Sequence, residues 1–204
     1  MIVILAYNMG NVGSVLNMIK KIGYDAKITS NKEDILNAEK IIIPGVGAYN
    51  NGIENLVDLK LIEILNKKII VDKIPVLGIC LGMQLMAESS EEGTLTGLGW
   101  IKGKFVRFNN NLNNTLKVPH MGWNFVSIKK QSRIFFNLPE NPRFYFVHSY
   151  YALLENNEDI LTTTNYGHEF VSSFERENII GVQFHPEKSH KYGMTILKNF
   201  IELY

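Results

Sequence analysis

This sequence of 204 residues has little cysteine and almost no excess of positive over negative charge. Its one cysteine, Cys80, excludes an internal disulfide and fits a reducing compartment, which predicts a cytoplasmic location. The chain has 21 Lys and Arg residues against 20 Asp and Glu residues, a formal net charge of +1. This balance gives no electrostatic reason to expect nucleic acid or an anionic membrane as a partner.

Long hydrophobic runs and metal-ligand spacing are lacking as well. The apolar N-terminus ends at Tyr7 and has no basic leader, so residues 2–6 are predicted to form a buried strand rather than a signal or membrane-spanning segment. The five histidines show no zinc-ligand spacing, and Pro186 argues against a helical H-E-x-x-H near His185 and His190. No Gly-rich P-loop sequence occurs, and we expect no metal and no cofactor.

The first half of the chain alternates strand patterns with helix patterns. Strands are predicted at residues 2–6, 26–29, 40–43 and 76–80. Helical spacing follows the first strand and ends at Gly23. Ser30 and Glu33 resemble a capping box before a short helix. A helical region is predicted at 50–71, with a break near Leu59 and Lys60. This order predicts a parallel sheet covered by helices on both faces.

From Trp100 onward the pattern changes to shorter, strand-like segments. They lie at residues 101–108, 125–128, 143–148, 160–164, 170–174 and 179–184, and residues 194–203 predict a closing helix. The asparagine-rich run at 109–114 predicts a solvated loop. Because no linker or repeat interrupts the chain, we predict one α/β domain over residues 1–204, in which the second half adds strands to the same core.

Cys80 lies between two glycines, in Gly78-Ile79-Cys80-Leu81-Gly82, where a predicted strand meets a predicted helix. This is the thiol version of the nucleophile elbow G-x-S-x-G, whose glycines leave room for a sharp turn. The helix N-terminus behind such a turn favours a thiolate. A buried structural cysteine between packing glycines would also explain this motif alone.

A second motif, Gln183-Phe184-His185-Pro186-Glu187, follows the last predicted strand. The residue before a proline tends to be extended, and residues two apart in an extended segment face the same side. His185 and Glu187 are therefore predicted to project toward one site, at the sheet edge where Cys80 also lies. A cysteine with a histidine that a carboxylate orients is the arrangement of a thiol hydrolase. A capped loop histidine and a solvated glutamate remain the alternative.

Together these motifs resemble the class I glutamine amidotransferases, whose triad is Cys–His–Glu. Within that class the chain is similar to the glutaminase subunits of imidazole glycerol phosphate synthase, from histidine biosynthesis. The resemblance covers essentially the whole chain and implies a mostly parallel central sheet flanked by helices, with additional strands in the second half. The matching stretches are Gly10-Asn11, Pro44–Gly47, Gly78–Gln84, Ser90–Gly93, Pro119–Asn124, Tyr145–Tyr150 and Gln183–Lys188.

The resemblance implies hydrolysis of L-glutamine to glutamate and ammonia. In this chemistry Cys80 attacks the side-chain amide carbon, His185 transfers the proton, and Glu187 orients His185. The backbone N–H groups of Leu81 and Val46 would hold the oxyanion. The positions that match glutamine-holding residues are Gly47, Gln84, Glu92, His148, Ser149 and Tyr150.

A protein partner is implied as well, namely a (β/α)₈-barrel cyclase subunit that receives the ammonia. The positions that match its contacts are Asn11, His120, Met121, Trp123 and Lys188. Taken alone, a Met and a Trp beside a glycine turn are more typical of a core than of an interface. Chemistry also favours a partner, because ammonia released into neutral water is mostly protonated and no longer nucleophilic.

Three other functions remain open at this level. A paralogous glutaminase that supplies ammonia for sugar amidation in a surface-polysaccharide pathway would carry the same motifs. A catalytically silent scaffold would keep the fold, although the intact Cys80, His185 and Glu187 argue against it. A thiol peptidase on a related α/β fold would cleave peptides without a partner, and the matches to the glutamine pocket argue against it.

Overall fold

The fold is known from a computed structural model, which describes residues 1–109 and 116–204. The loop predicted at 109–114 lies, apart from Asn109, outside the described residues. The helices and strands are β1 (Ile2–Leu5), α1 (Val12–Lys21), β2 (Lys27–Thr29), α2 (Lys32–Leu36), β3 (Lys40–Gly45), α3 (Tyr49–Asp58), α4 (Ile62–Asn66), β4 (Val76–Cys80), α5 (Leu81–Leu85), β5 (Ser89–Ser90), β6 (Gly103–Arg107), β7 (His120–Phe125), β8 (Ser127–Ile128), β9 (Arg143–His148), β10 (Tyr150–Leu154), β11 (Ile160–Tyr166), β12 (His168–Arg176), β13 (Ile179–Val182) and α6 (His190–Leu203).

One large sheet organises these elements. Across the described ranges it contains eleven strands, in the order β2-β1-β3-β4-β13-β12-β10-β6-β5, with β11 beside β12 and β8 beside β11. The five strands from β2 to β13 are parallel, whereas β12 runs antiparallel to β13 and begins the part added by the second half of the chain. The predicted fold class, a mostly parallel central sheet with additional strands, is confirmed.

Two hydrophobic cores cover the two faces of the sheet. Successive residues of β1 enter different cores, with Val3 in the cluster that contains Leu56 of α3 and Ile4 in the cluster that contains Ile19 of α1. A strand buried on both faces needs this continuous apolar run, because its side chains alternate between the faces.

None of the helices in the described ranges combines the length and apolar character that crossing a membrane requires.

Two local predictions in the first half have different outcomes. The capping box at Ser30 is wrong by one residue, since Asn31 is the N-cap of α2 and accepts from the backbone N–H of Glu33 at 2.8 Å. Asparagine caps as well as serine does, and the local pattern could not separate the two. The break near Leu59 and Lys60 is confirmed, because Lys60 has a φ of +53° between α3 and α4.

The second half contains a strand that its sequence pattern hides. A strand was predicted at 125–128, but the longer strand β7 comes earlier, at His120–Phe125, and the short β8 follows it. Within the described residues β7 pairs with β9 in a separate two-stranded antiparallel sheet, which we call the β7–β9 ribbon. Pro119, Gly122 and Asn124 obscure its alternation, and strand β10 (Tyr150–Leu154) was not predicted either.

Candidate active site

Cys80 lies at the carboxyl end of the central strand β4, and α5 begins at the next residue. Its backbone has a φ of +53° and a ψ of −110°, a conformation that costs a residue other than glycine on the order of 1–3 kcal/mol. The flanking glycines allow the turn, since a Cβ added at Gly82 would lie 1.8 Å from the carbonyl oxygen of Ile43. One added at Gly78 would lie 2.8 Å from the carbonyl oxygen of Gly82.

We expect Gly82→Ala to lower the free energy of unfolding by about 3 kcal/mol or more, because backbone rather than a flexible side chain occupies the required space. The matched control is Gly13→Ala in α1, where the nearest atom to the added Cβ is 3.8 Å away. That change is expected to raise stability by about 0.5 kcal/mol. Urea unfolding of the two variants measures both effects, and losses of equal size would contradict the expectation.

His185 and Glu187 form a buried pair near Cys80. His185 Nδ1 lies 2.7 Å from Glu187 Oε1, and the two side chains are 1% and 3% exposed. The predicted extended arrangement is wrong for Glu187, which lies in a 3-10 turn at Pro186–Lys188. Pro186 has a fixed φ that suits the start of this turn, and the turn rather than strand alternation brings the carboxylate to the ring. The backbone N–H of His185 donates to the carbonyl of Tyr145 at 2.9 Å.

The Glu187 contact sets the state of the His185 ring. Nδ1 carries the proton that the carboxylate accepts, and the buried Nε2 has no hydrogen-bond partner among the described residues. Burial by itself would lower the pKa of His185, but the interaction of the ring with Cys80 and with Glu187 raises this pKa to about 10. An imidazolium held beside a cysteine stabilises its thiolate, which is the nucleophilic form.

Two further groups contact the Cys80 sulfur, and sequence reasoning assigned a role to neither. Gln183 donates from Nε2 to Cys80 Sγ at 3.5 Å, and the carbonyl oxygen of Val147 lies 3.8 Å from Sγ. The predicted glutamine-binding residue Gln84 is buried and donates to Gln183 Oε1 at 3.2 Å. Gln183 belongs to the motif around His185 and comes directly after β13. This position was the available signal that its side chain lies near Cys80.

The two predicted oxyanion donors lie at the same edge of the sheet. Leu81 is the first residue of α5, and Val46 follows Gly45, which pairs with Cys80 in the register of β3 and β4. Tyr7, to which the sequence analysis assigned no role, lies close to Gly45 at this edge. Its fully buried hydroxyl has no partner in the described part of the chain, and a Cβ added at Gly45 would lie 2.8 Å from it. Burial and the neighbouring Cys80 raise the pKa of Tyr7.

The other predicted glutamine-binding residues lie on different elements. Gly47 follows Val46 and has a φ of +124°. Glu92 accepts from the backbone N–H of Tyr49 at 3.2 Å, and burial raises its pKa. His148 ends β9, Ser149 accepts through its backbone oxygen from Phe108 N–H at 3.0 Å, and Tyr150 begins β10.

The predicted partner-facing residues divide into exposed and buried groups. Met121 and Trp123 lie on the outer side of β7, 61% and 42% exposed, and Trp123 stacks on the ring of His190. Asn11 caps α1 through Ser14 N–H, and the Lys188 ammonium lies over the Tyr145 ring. His120 does not fit the prediction, because alternation along β7 turns its side chain inward and leaves it 2% exposed.

No three His, Cys, Asp or Glu side chains of the described ranges lie together in a way that could hold a metal ion. The groups described above are the strained Cys80, the buried pair His185 and Glu187, and backbone N–H groups at one sheet edge. Such a set can carry out acyl transfer through a thioester.

Comparisons with known proteins agree with this chemistry. The family described as glutamine amidotransferase class-I matches residues 3–203. The chain is 56% identical over 202 residues to imidazole glycerol phosphate synthase subunit HisH 2 of Methanococcus maripaludis, covering 99% of both chains. It is 48% identical over 203 residues to the HisH 2 subunit of Pseudomonas aeruginosa, covering 100% of both.

Solved structures show the same fold at low sequence identity. PurLQS from Thermotoga maritima superposes with a TM-score of 0.73 at 17% identity, over 99% of this chain and 97% of that one. The family match spans nearly every residue, and the relatives named HisH share about half of them. The chain therefore belongs to the class-I glutamine amidotransferase family, in the group of relatives that are named HisH subunits of imidazole glycerol phosphate synthase.

Proposed function

We propose that this chain is the glutamine-hydrolysing subunit of an imidazole glycerol phosphate synthase that works in the cytoplasm. Residues 1–204 act as one glutaminase domain, without a metal or cofactor, and deliver ammonia to a (β/α)₈-barrel cyclase partner. The observation that carries the chemistry is the buried pair of His185 and Glu187, in which the His185 ring has one unpartnered nitrogen among the described residues and a pKa on which the strained Cys80 acts. The HisH relatives support the pathway.

In the first step the Cys80 thiolate attacks the side-chain amide carbon of glutamine, and the carbonyl π electrons move to oxygen. The backbone N–H groups of Leu81 and Val46 hold this oxyanion, and losing one such donor typically costs about 10²–10³ in rate. The imidazolium of His185 then donates its Nε2 proton to the leaving nitrogen as the carbon–nitrogen bond breaks. Ammonia leaves, and the acyl group stays on Cys80 as a thioester.

In the second step water resolves the thioester. Neutral His185 accepts a proton from water through Nε2, and the hydroxyl oxygen attacks the thioester carbon. The carbon–sulfur bond breaks, glutamate leaves, and the thiolate–imidazolium pair is restored. Throughout the cycle Glu187 keeps the proton on Nδ1 and stabilises the charged ring.

Glutamine itself would be held by groups around the same edge. The proposed binding residues are Gly47, Gln84, Glu92, His148, Ser149 and Tyr150. Glu92 accepts a hydrogen bond from the first turn of α3, and the His148 ring is hydrogen-bonded to the backbone of Tyr150 at the start of β10. Both residues are therefore held in place by helices or strands. A rigid pocket places the amide carbon within reach of the sulfur.

The proposed partner surface is the outer side of β7, together with Asn11 and Lys188. Met121, Trp123 and Phe125 are 61%, 42% and 57% exposed, an apolar stripe of the kind that marks protein contacts. Direct transfer to a docked cyclase would protect ammonia from protonation in bulk water.

The test is glutamate release from glutamine by this protein mixed with a histidine-pathway cyclase subunit, with and without the nucleotide substrate of the cyclase. We expect the nucleotide to stimulate release about 5- to 150-fold, the usual range of coupling between two sites. Cys80→Ala is the blank. Release that is equally fast without the cyclase would contradict the expected stimulation.

One observation favours a different acceptor of the ammonia. Two of the relatives are named HisH 2, a number that distinguishes one HisH protein from another in the same organism. A second copy is free to supply ammonia for another reaction, such as amidation of a sugar. Cys80-dependent glutaminase activity that no histidine-pathway cyclase stimulates would support this alternative.

A further inference from the structure

A continuous chain of hydrogen bonds crosses the β7–β9 ribbon. Asn124 Nδ2 lies 3.2 Å from His120 Nε2, His120 Nδ1 lies 2.9 Å from His148 Nε2, and His148 Nδ1 lies 2.7 Å from the carbonyl oxygen of Tyr150. His120 and His148 are direct partners in the strand register. These hydrogen bonds therefore depend on the pairing of two strands that are far apart in sequence.

Only one set of donors and acceptors satisfies every bond. The Tyr150 carbonyl can only accept, so His148 carries its proton on Nδ1 and accepts at Nε2. His120 must then donate from Nδ1 and accept at Nε2 from the Asn124 amide. The Asn124 amide is itself oriented, because Nδ2 also donates to Asn165 O at 2.9 Å and Oδ1 accepts from Phe125 N–H.

The surroundings keep both rings neutral and in place. The His120 ring stacks on Tyr166 at 4.1 Å and on Phe146 at 4.8 Å between centroids, and both histidines are buried. Burial lowers the pKa of His120 to about 4 and that of His148 to about 3. A second proton on His148 would point an N–H group at the N–H group of His120.

The same ribbon contacts the reacting groups. The carbonyl of Val147 lies 3.8 Å from Cys80 Sγ, and the carbonyl of Tyr145 accepts from His185 N–H at 2.9 Å. The hydrogen-bond chain ends at the Tyr150 backbone, within the proposed glutamine pocket. His120 touches none of the reacting atoms, yet its Nδ1–H group donates to His148 Nε2 and holds that ring where its own Nδ1–H group meets the Tyr150 carbonyl.

We propose that His120 is a positioning residue for glutamine binding, which holds the His148 ring against the Tyr150 carbonyl and thereby fixes the backbone of Ser149 and Tyr150. This inference rests on the proposed glutaminase function. The residue acts through the His148 hydrogen bond, so its loss affects capture of glutamine more than the chemical steps.

Two substitutions separate hydrogen bonding from packing. His120→Phe keeps an aromatic ring against Tyr166 and Phe146 but removes the donor to His148. His120→Asn loses the ring stacking but keeps a donor at the position of Nδ1, since both nitrogens are bonded to Cγ. We expect His120→Phe to raise KM for glutamine on the order of 10-fold with kcat within about twofold, and His120→Asn to restore KM to within about threefold of wild type.

Kinetics are measured in the complex with the cyclase subunit, and imidazole ¹⁵N spectra of the free chain report the tautomer of His148. We expect the Nδ1–H tautomer in all three proteins, with the ¹⁵N shift of a hydrogen-bonded Nε2 in wild type and in His120→Asn, and that of an Nε2 without a donor in His120→Phe. An unchanged KM in His120→Phe, or a KM that rises only in His120→Asn, would overturn the positioning role. If wild type released no Cys80-dependent glutamate while its tautomer was fixed, the proposed function would fail instead, and this inference with it.

Discussion

Replacing Cys80 with alanine is expected to lower glutamate release by about 10⁴-fold or more, because removal of a nucleophile leaves only the contribution of binding and oxyanion contacts. The Cys80 sulfur is the group toward which Gln183 donates and whose charge acts on His185. Release is measured with saturating glutamine in the presence of the partner and its nucleotide. Retention of more than a hundredth of the wild-type rate, a loss well short of about 10⁴-fold, would exclude Cys80 as the nucleophile.

The same position offers a stability control. Cys80 has a positive φ, so Cys80→Gly is expected to be more stable than Cys80→Ala by about 1 kcal/mol, although both are inactive. Urea unfolding of the two variants measures the difference. This comparison separates loss of the sulfur from loss of the fold, since the variant without a Cβ also removes the backbone strain. Equal stabilities would show that the backbone of this turn relaxes when the sulfur is absent.

Glu187→Gln is expected to lower kcat by about 10²–10⁴-fold, because the amide no longer requires a proton on His185 Nδ1. It also removes a charge that raises the pKa of His185, so the alkaline limb of the rate profile should move to lower pH. The chemically matched control is Glu177→Gln, which breaks the exposed ion pair with Lys73 and should leave the activity unchanged.

The loss of unfolding free energy in Glu187→Gln is expected to depend on pH, in a direction that the pKa of His185 determines. The pKa of His185 is raised to about 10 in the folded chain, against about 6.5 for an unperturbed histidine. Its stabilising contribution is therefore fully present below about pH 6.5 and is lost as pH rises toward 10. The difference in unfolding free energy between wild type and Glu187→Gln should shrink over that range. A difference that is constant with pH would contradict the charged pair.

Much of the site could be predicted from local sequence. A cysteine between Gly78 and Gly82 predicts a sharp turn because only residues without a Cβ fit there, and the added Cβ distances bear this out. The apolar runs around Ile4 and Ile79 predict strands buried on both faces, and parallel strands bring their carboxyl ends to one edge. Such inferences succeed because they depend on sterics and periodicity within a few residues.

Other features depended on contacts between distant segments, and the tertiary structure alone decided them. The family resemblance implied that His120 faces a partner, but pairing of β7 with β9 placed it opposite His148 and turned its ring inward. Gln183 came within reach of Cys80 because β13 lies beside β4. Strand neighbours and side-chain burial are set by the free energy of packing the whole chain, which no local pattern contains. The sequence by itself thus determined the fold class and the chemistry-bearing residues, whereas the tertiary structure determined which of them meet and which lie buried.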